Sequence, residues 1–227
     1  MKKPVVDYRG LRFSNLTDPQ YNHLLYLFGW LLYFALYFLT ENLIPAEQCY
    51  PVYAPLDDLI PFCEWFVIPY VGWYAFIVGT LLYFALYNPK SFKNVQMYII
   101  ITQTVAMLIY ILFPTRQDLR PEVFPRDNLL TDLTAVLYAF DTNTGVCPSL
   151  HVAYSLGLIS VWLREHSISK PTKAIIVAFL ITVCLSVSFV KQHSVLDILA
   201  ALPLGLLAEF MVFIYPRLRM KTKQPSA

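Results

Sequence analysis

The segment Lys191-Gln192-His193-Ser194-Val195-Leu196-Asp197 holds a histidine and an aspartate four residues apart. On a helix they share one face. A carboxylate bonded to one imidazole nitrogen fixes the tautomer and leaves the other nitrogen free to attack or to take a proton. A purely structural pair is the plainer reading of the same spacing. A second histidine closes Cys147-Pro148-Ser149-Leu150-His151. Pro148 suits the first position of a helix. That leaves Ser149, His151 and free backbone N–H groups at a positive helix end, which is an anion site. A lone interfacial histidine with a structural role is the alternative. The third cluster, Pro114 to Pro121, carries Arg116 and Arg120, a spacing that can form a guanidinium pocket for phosphate oxygens. Ordinary surface arginines would look the same. Two arginines, Lys191, two histidines, an aspartate and a helix start make a phosphoryl-transfer site that needs no metal ligands.

The elements that position these groups follow from composition. Of 227 residues, 57% are hydrophobic and only 14% are charged, about half the ordinary charged fraction of roughly 25%. Mean hydropathy is +0.53. This excludes a disordered chain, a collagen-like repeat and a basic nucleic-acid-binding domain, and it argues against a soluble enzyme. Six stretches approach the roughly 20 apolar residues a membrane helix needs. They are Leu24 to Ile44, Trp65 to Tyr87, Val95 to Phe113, Pro148 to Leu163, Ala174 to Val190 and Val195 to Tyr215. The expected fold is therefore all-α: one polytopic domain over residues 1–227 with six transmembrane helices. Residues 1–20 form an N-terminal segment, 114–147 an extracytoplasmic loop and 216–227 a basic tail. The string LLYFALY at Leu31 to Tyr37 and again at Leu81 to Tyr87 lies in flanks that do not repeat, so it reads as chance in a small apolar alphabet.

Charge sets the sidedness. Thirteen of the 17 lysines and arginines fall before helix one, between helices two and three, between four and five, or after helix six. The positive-inside rule makes that side cytoplasmic, with both termini inside. Lys2 and Lys3 do not mark a cleaved leader, because the apolar stretch starts late and runs too long for one. Arg116, Arg120, Arg126 and Lys191 stand on the opposite side, where insertion does not need them. The first three motifs absorb all but Arg126. Asp197 lies about a turn inside its apolar stretch, where an ionisable group needs a partner, and His193 is the obvious one. Glu209 reads as packed or snorkelling near the cytoplasmic end. Cys49 and Cys63 share one outside loop and can pair, although free thiols are the plainer reading. Cys147 and Cys184 complete the set, and no cysteine–histidine metal pattern appears.

With these residues in view, the chain resembles the type 2 phosphatidic acid phosphatase superfamily of membrane lipid phosphatases and phosphotransferases. Arg120 and Pro121 match its first motif, Pro148, Ser149 and His151 its second, and His193 with Asp197 its third. Two positions depart from it. Phe113 stands where the family usually has a lysine, and Val187 where it usually has an arginine. Arg116 and Lys191 are the candidates to supply the displaced charges. Thr115-Arg116 ahead of Arg120-Pro121, and Lys191-Gln192-His193, are more similar to the branch that includes inositol phosphorylceramide synthases. Pro55-Leu56-Asp57-Asp58 resembles a loop motif of sphingomyelin synthases.

The resemblance implies a lipid phosphate substrate, no cofactor and no metal, and an active site at the extracytoplasmic face of the plasma membrane. In these roles His193 is the nucleophile, forming a phosphohistidine, Asp197 orients it, and His151 is the general acid. Arg116, Arg120, Lys191 and Ser149 would hold the phosphate oxygens. Water as acceptor gives a phosphatase, and an alcohol gives a head-group transferase through the same site. A membrane transporter is the non-enzyme alternative. It would want charge near the midplane and broken helices there.

Overall fold

The computed structural model describes residues 3–221. Lys2 and Lys223, with the end of the basic tail, lie outside the described residues. The chain is mostly helical. Turns Asn22–Leu27 lead into α1 (Phe28–Leu43), followed by the one-turn α2 (Leu56–Leu59), α3 (Val67–Tyr87) and α4 (Pro89–Leu112). Next come α5 (Leu129–Phe140), α6 (Leu150–Arg164), α7 (Lys170–Phe189), α8 (Val195–Glu209) and α9 (Tyr215–Lys221). Among the described residues, five helical stretches are long and apolar enough to cross a membrane: Asn22–Thr40, Glu64–Tyr87, Pro89–Leu112, Lys170–Phe189 and Val195–Arg219. Their outward faces are apolar, with Leu31, Leu32, Phe34 and Phe38 of α1 and Ile175, Ile181 and Leu185 of α7 all exposed. Such faces belong against lipid.

The fourth expected span behaves differently. α6 has 15 residues, about 23 Å at the usual rise, short of the roughly 30 Å of a hydrocarbon core. It is surrounded by α4, α7 and α8, and eleven of its residues are buried. It is the core of the bundle. Gly157 and Gly205 permit this packing: a side chain at Gly157 would run into the Tyr98 ring, and one at Gly205 into Leu156. Tyr98 fills the gap and donates a 2.9 Å hydrogen bond to the Gly205 carbonyl.

Polar residues decide where helices begin. Asn88 caps α4 just before Pro89, and Ser169 caps α7. Ser194 caps α8 in a reciprocal box with Asp197, satisfying amides that the first turn leaves free. α8 runs through Pro203 and Gly205 without ending, and its irregularity lies further on, in the π turn Phe210–Ile214. Neither Pro203 nor Gly205 breaks the helix. Residues 114–147 are more ordered than a loop, because Asn128 caps the 12-residue α5 within them.

One end of the bundle is stitched together. β1 (Tyr50–Pro51) pairs in parallel with β2 (Thr115–Arg116), with Tyr50 opposite Thr115, and Arg116 bridges antiparallel to Thr144. The segments after α1, after α4 and before α6 are thus tied at the end where α6 and α8 begin. Cys63, Cys147 and Cys184 are in no disulfide, so Cys49 and Cys63 are not joined.

Candidate active site

The start of α8 fixes the first half of the site. The backbone N–H of Ser194 donates to Asp197 Oδ2 at 3.0 Å, and the same oxygen lies 3.1 Å from His193 Nδ1. Asp197 is wholly buried. Its carboxylate serves the cap and the imidazole at once, so one local fold both starts the helix and orients the ring. A proton on His193 Nδ1, shared with the carboxylate, leaves the lone pair on Nε2. No N–H or O–H group among the described residues donates to Asp197 Oδ1, and the Cys147 thiol lies within reach of the carboxylate. Burial, reinforced by the Asp197 charge, pushes the nearby Cys147 thiol up to about 12.

The start of α6 supplies the second half. Ser149 is the cap, and its Oγ accepts from Val152 N. Pro148 therefore precedes the cap and is not the first helical residue, since its carbonyl is turned to accept the Tyr110 hydroxyl at 2.6 Å. Ser149 N donates to the Asp197 carbonyl at 3.1 Å, which joins the two helix starts directly. His151 sits in an aromatic box built by α3. Its ring centroid is 4.2 Å from Trp73, 4.3 Å from Tyr70 and 5.7 Å from Tyr74. The His193 ring stands 5.9 Å away at 63°. His151 Nε2 is buried without a hydrogen-bond partner, a costly state for a nitrogen at rest.

The expected phosphate cations divide. Arg120 is at the site's edge, its guanidinium donating to Gln192 Oε1, Tyr138 O and Asp141 O, with its plane 4.4 Å from the Tyr138 ring. Burial lowers its pKa, against the raising effect of Asp141. Gln192 adjoins His193, and Asp141 accepts the Tyr70 hydroxyl at 2.6 Å, so Arg120 reaches His193 through Gln192 and His151 through Asp141 and Tyr70. Arg116 is held elsewhere: it donates to Asp118 and to the carbonyls of Ala46 and Cys49. Lys191 donates to the carbonyls of Asp57 and Ile60. Both spend their charge on backbone oxygens that no sequence pattern reveals. Ser149, for its part, is wholly buried with its hydroxyl on its own helix. Arg126, left without a role by the sequence, makes a two-bond ion pair with buried Glu64 at 2.6 and 2.7 Å.

The residues that sequence reasoning missed are Tyr70, Trp73, Tyr74, Gln192 and Asp141. The box had a signal in its i, i+3, i+4 spacing on α3, which 16% aromatic content disguises. Among the described residues, no group of three or more His, Cys, Asp or Glu is arranged to hold a metal ion. No protein-family model, curated protein or solved structure gives a significant match to the chain.

Proposed function

We propose that the protein is a lipid phosphate phosphatase of the type 2 phosphatidic acid phosphatase kind, working through a phosphohistidine on His193. The observation that carries this reading is the juxtaposition of two imidazoles in unlike settings. One is anchored to a buried carboxylate, and the other is boxed by aromatic rings with Nε2 unpartnered. Separate environments allow opposite protonation states, which a nucleophile and a general acid require.

In the first step His193 Nε2 attacks phosphorus, the P–N bond forms and the P–O bond to the lipid alcohol breaks. His151 donates a proton to the departing oxygen. In the second step His151 takes a proton from water as the water oxygen attacks phosphorus, and the P–N bond breaks to release phosphate. Asp197 holds His193 in the attacking tautomer throughout and balances its positive charge in the intermediate. Arg120 and the amides opening α6 face the equatorial oxygens as charge redistributes.

The membrane setting belongs to the same reading. Six crossings, counting α6, put both termini in the cytoplasm and the stitched end outside the plasma membrane. The bias of lysine and arginine towards the other end supports this. The substrate is a phospholipid or polyprenyl phosphate or diphosphate presented from the outer leaflet.

The test uses purified protein in detergent with short-chain phosphatidic acid. Wild type releases phosphate with or without EDTA, and His193→Ala and His151→Ala each abolish release. Wild-type rates in both variants would overturn the assignment. Adding labelled lipid together with candidate alcohols reports the acceptor: a new phosphodiester would show head-group transfer by the same residues.

A further inference from the structure

Asp57 lies far from the three motifs in sequence, yet its carboxylate accepts three hydrogen bonds at the stitched end. It is buried, and it binds the α8 start at two points. Oδ2 accepts the Ser194 hydroxyl at 2.6 Å, and Oδ1 accepts the Val195 amide at 2.8 Å. Oδ2 also accepts Ala54 N at 2.8 Å, while Asp57 N donates to Ala54 O, so the carboxylate closes its own loop. The tie is returned from the other side. Lys191, immediately before Gln192 and His193, sends its ammonium to the carbonyls of Asp57 and Ile60. Its backbone is in the left-handed region, at φ 55°, a conformation that a lysine keeps only when its surroundings hold it. Two further contacts pin the same loop to the end of α7: Cys63 N donates to Phe189 O at 3.0 Å, and the Phe66 and Phe189 rings stack at 4.3 Å.

Ser194 is therefore held between two carboxylates. Its hydroxyl donates to Asp57, and its amide donates to Asp197, the group that orients His193. An amide side chain at position 57 could not replace this arrangement, because its NH2 head would face the Val195 N–H or the Ala54 N–H, donor against donor.

We infer that Asp57 and Lys191 form a reciprocal clamp that positions His193, with Asp57 acting through Ser194 and the first turn of α8. Lys191 is thereby a positioning residue and not a phosphate ligand. The inference rests on the phosphatase reading for its catalytic consequence, but the clamp itself is a property of the resting protein. A displacement of the nucleophile of about 1 Å costs about 100-fold in rate, so Asp57→Ala lowers kcat by that order and leaves KM within about twofold.

The experiment combines turnover with nitrogen-15 NMR of the histidines in detergent-solubilised full-length protein, comparing wild type, Asp57→Ala, Asp57→Asn, Lys191→Met and Ser194→Ala. Asp58→Asn is the control: it removes the same charge from the exposed neighbour, which bonds Tyr53. The clamp predicts that both Asp57 variants lose the protonated-Nδ1 signature of His193, and that Asp58→Asn keeps it. Ser194→Ala and Lys191→Met, each cutting part of the clamp, weaken the signature and carry the test if the Asp57 variants fail to fold. An unchanged His193 signature with unchanged kcat in the Asp57 variants, or in this second pair, would overturn the proposal. Loss of the signature in a protein that turns over no lipid phosphate would keep the clamp and reject the phosphatase reading.

Discussion

The two ends of the bundle differ in whether every carboxylate and imidazole withdrawn from solvent is fully partnered. At the end where α6 finishes, Glu209 is bonded on one oxygen by Arg164 and on the other by Ser160, at 2.5 Å each, and the Arg164 guanidinium lies over Phe213. Glu165 there accepts from Asn88 on one oxygen and from Ser167 on the other. Both carboxylates are satisfied. At the end where α6 starts, Asp197 Oδ1 and His151 Nε2 have no N–H or O–H partner among the described residues. Five buried side-chain atoms lack a partner among the described residues, and these are two of them. A packed core removes such atoms unless something else needs them. The contrast separates charges that hold the bundle from charges left available for chemistry.

The contrast breaks most visibly at His193, the proposed nucleophile. His193→Ala is expected to lower kcat by at least about 10⁴-fold, as removal of a nucleophile does elsewhere, with little change in melting temperature. Asp197→Asn leaves the ring in place but removes its anchor and favours the wrong tautomer. A loss of about 10³-fold in kcat is expected, read from initial rates. At the opposite end Glu209→Ala does the reverse. It should cost about 2 kcal/mol in detergent unfolding, less than a fully buried pair because Arg164 and Glu209 are 34% and 22% exposed. It should leave kcat within about twofold of wild type. Equal effects of Glu209→Ala on rate and stability would erase the distinction between the two ends.

Smaller effects sharpen it. Tyr70→Phe keeps the ring against His151 and removes the hydroxyl from Asp141, so it should lower kcat by about tenfold or less, the scale of one hydrogen bond. Cys147 gives the pH dependence. Its thiol is held protonated in the fold, up to about 12 against an ordinary value of 9.0. Above that ordinary value the unfolded chain loses a proton that the folded chain keeps, so the unfolded state is favoured as pH rises. This part of the stability is complete below pH 9 and is lost progressively towards 12. Thermal melts across that range should show the decline in wild type and a shallower one in Cys147→Ser.

Much of this was legible in the sequence where the information is local. The four-residue spacing of His193 and Asp197, and the helix start at Ser149 and His151, involve neighbours on one turn, and the structure joins them through the Ser149–Asp197 backbone bond. Apolar length alone marked the five long helices, and it marked α6 as short without showing that neighbouring helices would cover it. The cations were illegible for a different reason. Arg116 and Lys191 have the right type and lie in the right loops, but backbone carbonyls consume their donors, and a carbonyl carries no sequence signature. Asp57 was hidden by distance, 137 residues before the serine it bonds. Arg126 found its partner in Glu64 across 62 residues. Long-range pairing is decided by packing, which local spacing does not encode.

The account stands on a covalent bond between His193 and the substrate phosphorus. Rapid acid-free quenching of wild-type protein during turnover of ³²P-labelled phosphatidic acid, followed by peptide mapping, reads that bond directly. The expected result is an acid-labile, alkali-stable label on the peptide containing His193, absent from His193→Ala. A label on any other residue, or turnover with no label at any time, would contradict the account.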